Sequence, residues 1–122
     1  MSTAPLISIV DDDASLRNSL DNFIRSVGFG AQGFPSAEAF LNSDQLHDTA
    51  CLILDVRMPG MSGLDLQRHL VASNSRIPII FITSHGDDGV RARALAAGAV
   101  AFLDKPFREE ALLEAIDSAL KH

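Results

Sequence analysis

Short apolar blocks alternate along this chain with longer blocks in which apolar residues recur every three or four positions. The first block, Leu6 to Val10, is rich in β-branched residues and ends abruptly in Asp11, Asp12 and Asp13, so it reads as a strand. From Ser15 to Val27 the apolar residues Leu16, Leu20, Phe23, Ile24 and Val27 share one helical face, with Gly28 as a stop. Gly30 to Phe34 is a weaker strand, softened by two glycines and therefore placed at a sheet edge. Pro35 ends it, and Ser36 caps a short helix through Ala37, Ala39, Phe40 and Leu41. The polar stretch Asn42 to Thr49 reads as a loop.

Cys51 to Leu54 is the third strand, followed by Asp55 and a break at Pro59, Gly60 and Gly63. A helix opening at Gly63 or Leu64 turns Leu66, Leu70 and Val71 inward and ends in Ser73-Asn74-Ser75. Ile77 to Thr83 predicts a central strand covered on both faces. The Gly86-Asp87-Asp88-Gly89 turn leads into an Ala-rich helix through Arg91, Ala94, Leu95 and Ala97, stopping at Gly98. Val100 to Leu103 is the fifth strand, and Pro106 ends it. Arg108 to Lys121 closes the chain as a helix with Leu112, Leu113, Ile116 and Leu120 on one face. Strand and helix alternating in this way predict one α/β domain over residues 1–122. The expected fold is a flavodoxin-like, doubly wound five-stranded parallel sheet in the order 2-1-3-4-5 with five helices.

Composition narrows the function. The net charge of −6 disfavours direct binding of nucleic acid or an anionic membrane surface by this segment. The single cysteine, Cys51, opens an apolar strand and reads as a small buried hydrophobe. No targeting segment and no apolar run of membrane-spanning length is present, so a cytoplasmic location is expected.

In open α/β sheets, ligands bind outside the carboxyl ends of the strands. The predicted order brings Asp11 and Asp12, then Asp55, then Thr83 and Ser84, then Lys105 to that edge. Three clustered carboxylates repel one another, and a hard divalent cation such as Mg²⁺ relieves the repulsion. Phosphoryl transfer needs a cation, a donor and a metal around the spread charge of the phosphoryl group. Lys105 supplies the first, Thr83 the second, and the acidic pair holds the third, which leaves Asp55 as the nucleophile. Singly, each residue has an ordinary explanation. Asp13 reads only as the cap of the first helix, and Arg57, Arg68, Arg91 and Arg93 as solvated charges. His47 and His69 read as surface residues, because no second His or Cys stands at metal spacing. Jointly, matched groups on four strand ends point to one site.

With those residues placed, the whole chain resembles the receiver domain of two-component response regulators, closest to FixJ-type regulators. The resemblance rests on Ile9 to Asp13, Leu54 to Gly63, Ile82 to Asp87 and Gly98 to Phe107. It implies that Asp55 takes a phosphoryl group from a sensor histidine kinase. Asp11, Asp12, Asp55 and the Arg57 backbone carbonyl would hold Mg²⁺, with Asp12 the more direct ligand of the acidic pair. Thr83 becomes the switch hydroxyl, Lys105 the phosphate-binding lysine before a cis proline bond, and Phe102 the aromatic switch. Arg57 and His85 fall where the family tunes hydrolysis of the aspartyl phosphate. The domain is then no enzyme in the usual sense, only a phosphoacceptor assisting its own phosphorylation and slow dephosphorylation. Thr83 moving inward would let Phe102 turn in and repack the surface from Val90 to Ala101 and on toward Leu112. That surface would control a partner, a phosphorylation-dependent homodimer or a transcriptional output domain. The sequence stops at His122, directly after the last predicted helix, which favours a piece of a longer regulator over a stand-alone receiver.

Three other functions fit the residues less well. A Mg²⁺-dependent phosphatase with an aspartate nucleophile commonly has a second acid two residues on, where this chain has Arg57. A flavin-binding module needs a Gly-rich phosphate loop after Val10 and flanking aromatics, and has neither. A degenerate receiver acting only as a docking surface is disfavoured because every acceptor group is present.

Overall fold

Each apolar block forms a parallel strand, and each periodic block forms the helix that returns the chain to the sheet. The computed structural model describes residues 4–84 and 88–121. Its elements are β1 (Leu6–Val10), α1 (Ala14–Ser26), β2 (Gly30–Phe34), α2 (Ala37–Leu41) and β3 (Thr49–Asp55). They continue with α3 (Gly63–Ala72), β4 (Ile79–Thr83), α4 (Asp88–Ala96), β5 (Ala101–Asp104) and α5 (Glu109–Leu120). The sheet order is β2-β1-β3-β4-β5, all pairs parallel, as expected.

Alternation along the strands divides the core in two. Ile7, Ile9, Cys51, Ile53, Ile80 and Ile82 point to α1 and α5, where they meet Leu20, Ile24, Leu112 and Ile116. Val10, Leu52, Leu54, Phe81 and Phe102 point the other way, onto Phe40, Leu66, Leu70 and Ala94. Burial pushes the Cys51 thiol up to about 12, so it stays a neutral, inert part of the first core.

The departures from expectation have local causes. β3 begins two residues early because Thr49 is buried and its hydroxyl lies 2.6 Å from that of Ser8 on β1. β4 begins two residues late, after Pro78, whose carbonyl accepts from the Leu52 amide at 2.9 Å. α4 takes in Asp88 and Gly89 from the predicted turn, while Gly86 and Asp87 lie outside the described residues. Val71 does not face inward: it is 55 % exposed, and Gln67 occupies the buried stripe with Leu66 and Leu70. Val27 is likewise exposed, just past the end of α1. Among the described residues, no helix is long and apolar enough to cross a membrane.

Candidate functional site

The carboxyl edge of the sheet gathers the predicted residues. Asp11 follows β1 directly and is fully buried, with its Oδ1 accepting from the Asp13 amide at 2.9 Å. Arg17, one turn into α1, donates to the Asp11 carbonyl at 2.7 Å and fixes the backbone that carries the acidic pair. Asp12 is exposed beside it. Asp13 caps α1 through bonds from the Ser15 and Leu16 amides, the role expected of it.

Asp55 ends β3 between β1 and β4 and is 6 % exposed, so it is sunk in the edge without being sealed. The chain then turns sharply, and Gly63 presses against the strand end: a Cβ there would collide with the Asp55 carbonyl oxygen. Only glycine lets α3 start this close to the carboxylate. Ser62 and Asp65 form a reciprocal capping box on that start. The Ser62 N–H, chiefly, holds the Asp65 carboxyl below its usual range. A residue absent from the sequence reading, Glu38 on α2, accepts from the Met61 amide at 3.1 Å and tethers the turn from the far side. Gly60 beside it has φ +76, and a Cβ there would sit 2.7 Å from the Glu38 carboxylate. Glu38 was not visible in the sequence because its partner lies 23 positions away on a loop.

Lys105 joins the pieces. The Lys105–Pro106 bond is cis, as expected, and the ammonium donates to Asp11 Oδ2 at 3.0 Å while lying 3.7 Å from Asp55 Oδ2. The Lys105 amide also donates to the Thr83 carbonyl at 2.7 Å, and Thr83 is buried at the end of β4. Asp11, Asp12 and Asp55 can each offer one oxygen such that all three lie within 4.8 Å of one another. One ammonium does not neutralise three carboxylates. Burial, then the charge of Asp11, raises the Asp55 carboxyl to about 6, with Asp12 adding and Lys105 and the Arg57 amide opposing. An acid cluster with two buried members, hard oxygen donors and residual negative charge is chemically suited to a small divalent cation.

Residues 7–117 match the profile of the response regulator receiver domain. The chain belongs to that family. This receiver is 51 % identical to nodulation protein W of Bradyrhizobium diazoefficiens over 118 residues, 97 % of this chain and 52 % of that protein. It therefore spans about half the length of the curated relatives it matches. The solved structure of the response regulator StyR superposes with a TM-score of 0.90 at 49 % identity, covering 98 % of this chain and 60 % of that one. A crystal structure of FixJ-N does so with 0.87 at 40 % identity, covering 99 % and 97 %.

Several expectations about this receiver need correction. Phe102 does not wait to turn in: its ring is already 6 % exposed and stacks at a tilt on Phe81, with centroids 6.1 Å apart. Arg91 is only partly solvated, because it pairs with Asp104 and covers the Phe102 ring. Leu112 lies on the core-facing side of α5 and is buried, so it is not part of an exposed surface there. Arg57 is exposed with its amide 3.4 Å from Asp55 Oδ1, whereas His85 lies outside the described residues. His47 and His69 are exposed, as expected.

Proposed function

We propose that this receiver is a phosphorylation-dependent switch in which Asp55 is the phosphoacceptor. The observation that carries the proposal is the convergence of Lys105 on Asp11 and Asp55, 94 and 50 positions away, at the rim of the acid cluster. An Asp55 carboxylate oxygen attacks phosphorus in a kinase phosphohistidine; the O–P bond forms as the P–N bond breaks, and imidazole leaves. Lys105, held at 3.0 Å by Asp11, stays in place to meet the phosphoryl oxygens. Thr83 is the hydroxyl that follows the phosphoryl group, and Phe102 is the ring whose inward packing that movement favours. Asp11, Asp12, Asp55 and the Arg57 carbonyl would hold Mg²⁺, which supplies neutralisation of charge on the phosphoryl oxygens. Slow self-dephosphorylation then resets the switch.

Because Phe102 is already inward, phosphorylation acts by population shift, stabilising an arrangement the protein already visits. The receiver works in the cytoplasm, and the partner that delivers the phosphoryl group is a sensor histidine kinase. An apolar groove of about 540 Å³, lined by Leu16, Phe23, Pro106 and Phe107 beside Lys105, suits a helix of that kinase. The output is a partner, a second copy or a transcriptional domain meeting the surface of α4, β5 and α5. Incubation with Mg²⁺ and acetyl phosphate followed by intact mass tests the reading. The wild type gains one phosphate and Asp55→Asn gains none, whereas steady turnover of phosphomonoesters would favour the phosphatase instead.

A further inference from the structure

α4 is held to the sheet in an unusual way. Its apolar stripe is small: Ala94 is buried, Val90 packs half-buried against the core and Leu95 is 43 % exposed, so the hydrophobic effect alone fixes its rotation about its own axis weakly. Polar ties do that work at both ends. Near the C-terminal end the buried Gln67 amide donates to the Ala94 carbonyl at 3.0 Å. In the first half both terminal nitrogens of Arg91 reach β5: Nη1 donates to the Phe102 carbonyl at 3.2 Å and Nη2 meets Asp104 Oδ2 at 2.7 Å. The guanidinium carbon then stands 4.8 Å from the centroid of the Phe102 ring.

We propose that Arg91 is a positioning residue for the switch, a clamp that holds the Phe102 ring inward and ties α4 to that state. The three contacts have different duties. The carbonyl and carboxylate belong to the β5 backbone and to Asp104, so they pin the guanidinium whichever way the ring points. On this proposal the ring contact, made here with Phe102 inward, is lost when the ring turns outward, and only a state-dependent contact shifts an equilibrium. A partly exposed cation–π contact of this kind changes the inward-to-outward ratio by about three- to fivefold. A lysine has one point charge and no planar fork, so it cannot hold all three contacts together. The functional consequence rests on the phosphoacceptor reading above; the geometry of the clamp does not.

The test uses the full chain with carbon-13-labelled phenylalanine. Cross-peaks between Phe102 and Phe81 report the inward ring without phosphodonor, and intact mass reports the rate of phosphorylation by acetyl phosphate. Arg91→Ala weakens the cross-peaks and slows phosphorylation by about three- to fivefold. Arg91→Lys recovers part of both, and Asp104→Asn, which only loosens the pin, falls between wild type and Arg91→Ala. Since Arg91→Ala could unravel α4, the lysine and Asp104→Asn proteins carry the inference on their own, with melting temperature measured for each. Cross-peaks unchanged from wild type in all three variants would overturn the clamp. A wild type that takes no phosphate while the variants still lose the cross-peaks would overturn the phosphoacceptor reading and leave the clamp standing.

Discussion

α3 and α4 occupy equivalent places, each following a central strand whose tip carries a proposed site residue, yet they are built differently. α3 begins on a glycine jammed against the Asp55 backbone, is capped reciprocally by Ser62 and Asp65, and buries Leu66, Gln67 and Leu70. α4 buries one alanine, packs Val90 half-buried against the core, and is fastened by Gln67 at one end and Arg91 at the other. The helix behind Asp55 is fixed by packing, and the helix behind Thr83 largely by polar contacts that can be exchanged. The proposed switch needs one side that stays and one that moves, since tightly packed cores resist continuous deformation.

The contrast is sharpest for side-chain truncation. Leu66→Ala in α3 should cost about 2–5 kcal/mol by urea unfolding, while Leu95→Ala in α4 stays within about 0.5 kcal/mol. Equal losses would erase the distinction between the helices. Gln67→Ala removes the tie between them and should cost about 1–2 kcal/mol. Hydrogen exchange should then quicken in α4 more than in α3, because α3 keeps its packing and its cap. Ser62→Ala, which removes that cap, should cost about 1 kcal/mol and speed exchange only in the first turn of α3.

The fixed side has one internal opponent, Asp55 itself. Its carboxyl is raised to about 6, so the native state binds its proton more tightly than the unfolded chain does. That stabilisation is fully present below the unfolded value near 3.8 and is lost as pH rises through about 6. In chelator at pH 7.5, Asp55→Asn should therefore melt higher than wild type, by roughly 1 kcal/mol once screening at this rim is allowed for. The advantage should vanish near pH 4. A variant less stable than wild type at pH 7.5 would mean that the Lys105 pairing outweighs burial and acid repulsion.

Much of this was legible along the chain. Strand tips ending in Asp11, Asp55, Thr83 and Lys105 follow from apolar blocks that stop at polar residues, and parallel order then brings the tips together. Asp13 was recognisable as a cap because capping is decided within three residues. What stayed hidden depends on partners far away in sequence. Thr49 looked like loop until Ser8, 41 positions earlier, was placed beside it. Arg91 looked solvated because Asp104 and the Phe102 ring come from the next strand. Val71 was misplaced because the polar Gln67 takes a buried position, satisfied by a carbonyl on another helix that local periodicity cannot see.

The most direct test of the central claim is chemical location of the phosphate. After reaction with acetyl phosphate and Mg²⁺, borohydride reduces an aspartyl phosphate to homoserine, and peptide mapping finds where. The account predicts homoserine at position 55 alone. Homoserine at position 12, or phosphate on a residue that borohydride leaves untouched, would contradict it.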